Sequence, residues 1–152
     1  MHRDDANTVG RTYQAGEALL VTAERIASFC VSVGDDNPLY VDPEAAKSGP
    51  YGGIVAPPAF VASFRYADNV FDQLPVFSRG GLMAGIDLEL AAPIRAGDLI
   101  SVVSQVKETY EKTGRTGTMV FVVVRSTLTN QNGELIAHVD HRMMRRLSPR
   151  RP

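Results

Sequence analysis

Tryptophan is missing from this chain of 152 residues, and cysteine occurs once, at Cys30. A single thiol excludes an intrachain disulfide and any cysteine-based metal cluster, and fits a reducing compartment. Charge of one sign is also lacking: 16 Lys and Arg against 17 Asp and Glu leave a formal net charge of -1. That balance gives no basic footprint for nucleic acid. No apolar run approaches the roughly 20 residues of a membrane-spanning helix. The opening "MHRDDANTVGR" carries acids and no apolar core, so no secretory signal is expected and a cytoplasmic protein is. There is no glycine-rich phosphate loop, no G-x-S-x-G element and no His/Cys cluster at metal-ligand spacing. His138 and His141 lie three apart in a predicted strand, on opposite faces, so no metal site is expected. What remains is ordinary globular material, 44% hydrophobic and 22% charged. We expect a single domain over 1–152, with an ordered core over about 12–146 and a basic, frayed C-terminal tail.

The first half reads as helices. Thr22 is a candidate N-cap; Ile26, Phe29, Cys30 and Val33 repeat at helical spacing, and Gly34 stands at the stop. Cys30 on that stripe reads as inert core. A short helix follows in "DPEAAKSG", with Asp42 as N-cap, Pro43 in the first turn and Gly49 at the end. Two prolines open a longer, mostly buried helix from about Pro58 to Phe71, with Phe60, Phe64, Ala67 and Phe71 at helical spacing. The second half alternates. "LMAGIDLELAAPI", "LISVVSQVKETY", "TMVFVVVRSTLT" and "ELIAHVDHRMMRR" read as strands, separated by "RAGD", "EKTGRTG" and "NQNG". After a short first strand, helices and one buried helix, this gives four antiparallel strands. The fold class is therefore α+β, a hot-dog arrangement with an antiparallel meander wrapped around one long central helix. An exposed sheet edge makes at least a dimer the expectation.

The stretch "GDDNPLYVDPEAA", then "YGGIVAPPAF", "LAAPIRAGD" and "YEKTGRTG", resembles the MaoC-like hot-dog dehydratases and (R)-specific enoyl-thioester hydratases. The likeness runs from about Thr12 to Arg146, and the order of the four pieces is more specific than any one. It is greatest to the subgroup similar to the N-terminal halves of type I fatty-acid-synthase dehydratases and the mycolic-acid dehydratase subunits. In catalytic members the motif reads roughly G-D-x-N-P-x-H, and the Asp and His hold one water for addition to, or removal from, an acyl thioester. A backbone N–H at the start of the central helix binds the thioester oxygen. The resemblance thus implies Asp35, Asn37 and Tyr40 as catalytic positions. It implies Gly53, Val55, Ala56, Pro57, Pro58 and Phe60 as substrate-binding ones. It also implies no cofactor beyond a substrate carried on coenzyme A or acyl carrier protein.

Two positions depart from the pattern. Tyr40 stands where the histidine belongs; histidine titrates near 6.5 and tyrosine near 10, so Tyr40 is a poor base at neutral pH. Pro57 stands where a glycine N–H should point at the thioester oxygen, and proline has none. The expectation is an acyl-chain-binding subunit that pairs with a catalytic hot-dog subunit. The alternatives are a self-sufficient hydratase using Asp35 with Tyr40, and more remotely a hot-dog thioesterase. Asp35 reads equally as the cap of a turn, Asn37-Pro38 as turn chemistry, and Phe60, Phe64 and Phe71 as core or as lining of an acyl tunnel. The arginines at 142, 145, 146, 150 and 151, with Lys112 and Arg115, read as solvated surface or as contacts for coenzyme A phosphates or an acidic carrier protein.

Overall fold

The computed structural model describes residues 8–14, 16–64, 70–77, 80–115 and 117–147. Two short strands come first, β1 (Thr12–Gln14) and β2 (Leu19–Leu20). Three helices follow: α1 (Ala23–Val33), α2 (Pro38–Val41) and α3 (Pro43–Ser48). The chain then makes 3-10 turns at Pro58–Ser63 and Pro75–Phe77 before four long strands, β3 (Leu82–Leu90), β4 (Leu99–Gly114), β5 (Gly117–Thr129) and β6 (Leu135–Arg146). The α+β class and the hot-dog sheet hold.

Helix α1 begins and ends as its sequence dictates. Thr22 accepts the Arg25 N–H at 3.3 Å. Gly34 adopts the left-handed conformation at φ 72, and its N–H closes onto the Cys30 and Val31 carbonyls. The buried stripe is narrower than the periodicity implies: Ile26 and Cys30 are buried, while Val33 is 55% exposed.

The sheet order is β1-β4-β5-β6-β3, all neighbours antiparallel. This corrects the simple meander. β3 pairs with β6, the last strand, so residues 91–98 are a crossover to the far side of the sheet rather than a hairpin. "EKTGRTG" is also less of a loop than it reads. The β4–β5 ladder continues through Glu111↔Val120 and Lys112↔Met119 to Gly114↔Gly117. The Tyr110 and Phe121 rings stack at 5.0 Å, Lys112 lies over both, and the Thr113 and Thr118 hydroxyls bond at 3.0 Å.

One face of the sheet is the core. On β5, Val120, Val122, Val124, Ser126 and Leu128 alternate inward and are all buried. They serve two apolar clusters. One takes Ile26 and Cys30 of α1 with Phe60, Val61 and Phe64; the other takes Val70, Leu74, Val76 and Phe77. Between them sits one buried polar pair, Ser104 and Ser126, whose hydroxyls bond at 2.8 Å.

The expected long helix from Pro58 to Phe71 is a second correction. The segment reaches the core, but as a 3-10 turn ending at Ser63, with Phe64 extended at φ -68 and ψ 130. The Ser63 hydroxyl donates to the Phe60 carbonyl at 2.7 Å, the acceptor that an α-helix would offer to Phe64 N–H. The middle of the expected helix, including Ala67, lies outside the described residues, as do Arg150 and Arg151 of the basic tail. Arg142 and Arg145 belong to strand β6, where Arg142 bonds Asp87 at 2.9 Å and Arg145 the Val76 carbonyl at 2.6 Å. No described helix is long and apolar enough to cross a membrane.

Candidate active site

The segment after α1 folds through short-range capping. Asp35 N–H bonds the Cys30 carbonyl at 3.0 Å, and its carboxylate accepts the Asn37 N–H at 3.2 Å. Asn37 accepts the Leu39 N–H at 3.0 Å and so caps α2. Asp42 accepts the Glu44 and Ala45 N–H groups at 2.9 and 3.1 Å and caps α3. The polar cluster of "DDNPLYVD" is thus one cap after another, and Asp35 and Asn37 have the structural work that their residue types allow. Gly49 closes α3 in tight quarters, since a Cβ there would meet Leu39 at 2.7 Å.

Backbone bonds then draw three segments together. Val55 N–H reaches the Leu39 carbonyl at 3.3 Å; Ala56 N–H reaches Ile94 at 2.9 Å; Ala96 N–H returns to Ile54 at 3.1 Å. Between α2, the 55–58 segment and the crossover lies a cavity of about 250 Å³. Of the expected residues, Tyr40, Val55, Ala56, Pro57 and Pro58 line it. Phe60 does not: it is 2% exposed and makes edge-to-face contacts with Phe29 and Phe64, at 5.3 and 5.6 Å. Gly53, Asp35 and Asn37 are also outside the wall, with Asp35 half-buried behind it.

Sequence reasoning missed Tyr51, Val61 and the run Leu90 to Ile94, which complete the wall. The signals were there. Tyr51 is the aromatic residue in the glycine-rich "GPYGG", and "LAAPI" opens one of the four pieces of the resemblance, though no site residue is assigned there.

The electrostatics centre on Asp35. Burial raises the Tyr40 phenol above its ordinary value, and the charge of Asp35, then Tyr51 and Cys30, raise it further. Burial, followed by the same carboxylate, also pushes the Cys30 thiol up, which fits an unreactive core cysteine. His138 and His141 do face opposite sides. His138 bonds Thr127 at 3.1 Å on the outer face, and His141 is buried. Among the described residues no group of His, Cys, Asp and Glu could hold a metal ion.

Residues 7–139 match the family model of the FAS1-like dehydratase domain region. The UPF0336 protein of Streptomyces avermitilis is 34% identical over 134 residues, 86% of this chain and 87% of that one. Among solved structures, the truncated HadBC complex of Mycobacterium tuberculosis, a 3R-hydroxyacyl-ACP dehydratase, superposes with a TM-score of 0.73 at 25% identity. That match covers 91% of this chain and 97% of that one. The MaoC-like dehydratase of Rhodospirillum rubrum gives 0.70 at 25% identity, covering 93% and 94%.

Proposed function

The chain belongs to the FAS1-like dehydratase-region family, and from that premise we propose that it is an acyl-thioester-binding subunit of a 3-hydroxyacyl dehydratase or 2-enoyl hydratase, dependent on a second hot-dog subunit for catalysis. The observation that carries this reading is the cavity wall. Among the described residues it has Tyr40 and Pro57 but no histidine, carboxylate or amine. Moving water onto or off an enoyl bond needs a group that exchanges a proton near neutral pH. Tyr40 is further from that than an ordinary tyrosine. Prolines 57 and 58 present no N–H to a developing oxyanion.

The partner reading rests on β3. It is an edge strand, and Ile86, Leu88 and Leu90, on its core-side face, are 44%, 42% and 46% exposed. Leu90 also lines the cavity. A subunit seated on that edge would cover the apolar row and close one flank of the cavity, and the similar HadBC structure is a complex. The substrate is carried on coenzyme A or acyl carrier protein and no cofactor takes part.

The test is the loss of enoyl absorbance when the homogeneous chain meets crotonyl and longer 2-enoyl thioesters. Little or no turnover is expected. The alternative, unaided catalysis, would pair Asp35 with Tyr40, whose phenol feels the charge of that carboxylate. A rate within about tenfold of ordinary hydratases would establish that pair as a working site and end the subunit reading.

A further inference from the structure

The cavity wall has a second property. Of the twelve described residues that line it, only Tyr40 and Tyr51 carry polar side-chain atoms. Its backbone donors are largely engaged. The N–H groups of Tyr40, Val55, Ala56, Ala91 and Ala92 bond the carbonyls of Asn37, Leu39, Ile94 and Ile136, and Pro57, Pro58 and Pro93 have none. A ligand carbonyl entering this space loses water and meets almost no backbone donor in exchange, which is costly unless a side chain replaces it.

We propose that the Tyr40 and Tyr51 phenols are the donors that receive the thioester carbonyl oxygen, and so make the cavity selective for acyl thioesters over alkyl chains alone. This rests on the reading of the cavity as an acyl-thioester site and adds the atom recognised and a residue, Tyr51, that is not among the substrate-binding positions the resemblance implies. Tyr51 is 41% exposed, at the mouth, while Tyr40 packs against the first core cluster. The Arg95 guanidinium donates to the Tyr51 carbonyl and fastens that loop to the crossover. The shift that disqualifies Tyr40 as a base keeps it a donor, because burial and Asp35 hold the proton on the phenol.

The experiment compares two ligands that differ only in the carbonyl, decanoyl-pantetheine and S-decyl-pantetheine, titrated into the full chain. Wild type should bind the thioester about tenfold more tightly. Tyr51→Phe and Tyr40→Phe should each remove part of that preference, and the double variant all of it. Thioether affinity should stay within about twofold throughout, which also reports an intact cavity. Equal binding of both ligands by wild type, or a preference that survives the double variant, overturns the role of the phenols and leaves the acyl cavity standing. Binding of neither ligand overturns both.

Discussion

At Tyr40 and Pro57 the two departures from the family pattern fall on different parts of one reaction, and both residues line the same cavity. On the proposed subunit reading each change would cost about 10²–10³ in rate, and the two together roughly 10⁴–10⁶ where the effects add. Tyr40→His alone is therefore expected to restore little hydration, since the backbone N–H that the family pattern has at position 57 is still missing. Tyr40→His with Pro57→Gly should restore more, measured by the same enoyl absorbance. Full recovery from the single change would show that Pro57 is no handicap. At Asp35 the structure shows the turn-capping role: the carboxylate accepts the Asn37 N–H, and the residue lies outside the cavity wall, though its charge acts on the Tyr40 phenol. Asp35→Ala should thus cost about 1 kcal/mol in urea unfolding even with no ligand present. An unchanged midpoint would mean that the turn stands without its cap.

Among the elements, the strands were legible because alternation is a local property. Each of the four long strands falls in a stretch read as strand, although β3 stops at Leu90 and β4 runs on to Gly114, and Thr22, Gly34, Asp42 and Gly49 delimit their helices as read. Pairing was not legible, because nothing in "GIDLEL" says that its partner lies near "VDH", some fifty residues on, rather than in the next strand. The 58–71 segment misled for another reason. Its spacing is helical, but spacing does not fix which helical form the chain takes or where it stops, and here it is a 3-10 turn that ends at Ser63. The edge position of β3 carries a prediction. If a second subunit sits there, Ile86→Lys with Leu88→Lys should convert the assembly to monomers by sedimentation at micromolar concentration, with the circular dichroism unchanged. Wild-type chain sedimenting as a well-folded monomer, alone and with a catalytic hot-dog partner, would remove the interface.

For the whole molecule, an acid response is expected from two groups on adjacent residues of β6 that face opposite sides of the sheet. Asp140 is 8% exposed on the outer face, bonded by Lys107 at 2.7 Å and by Arg125 at 2.7 and 3.0 Å. Burial alone would raise its pKa, but the two cations outweigh burial and hold it below the ordinary 3.8. Its stabilisation is complete above that value and is lost as pH falls through the lowered one. His141 is 8% exposed on the core face, and burial lowers its pKa from 6.5 against a weaker opposing pull from Asp140. Below the ordinary value the unfolded chain takes up the proton first, so stability falls as pH drops from 6.5 towards the lowered folded value. Two steps are expected in the urea midpoint, one beginning below about pH 6.5 and another below about pH 4. His141→Gln should flatten the first step and leave the second. Asp140→Asn should flatten the second and cost about 1–3 kcal/mol at neutral pH, because Lys107 and Arg125 then face each other without their shared carboxylate. A midpoint that stays level from about pH 7.5 to 5.5 in the wild-type chain would mean that His141 takes its proton without disturbing the core, and would refute the first step.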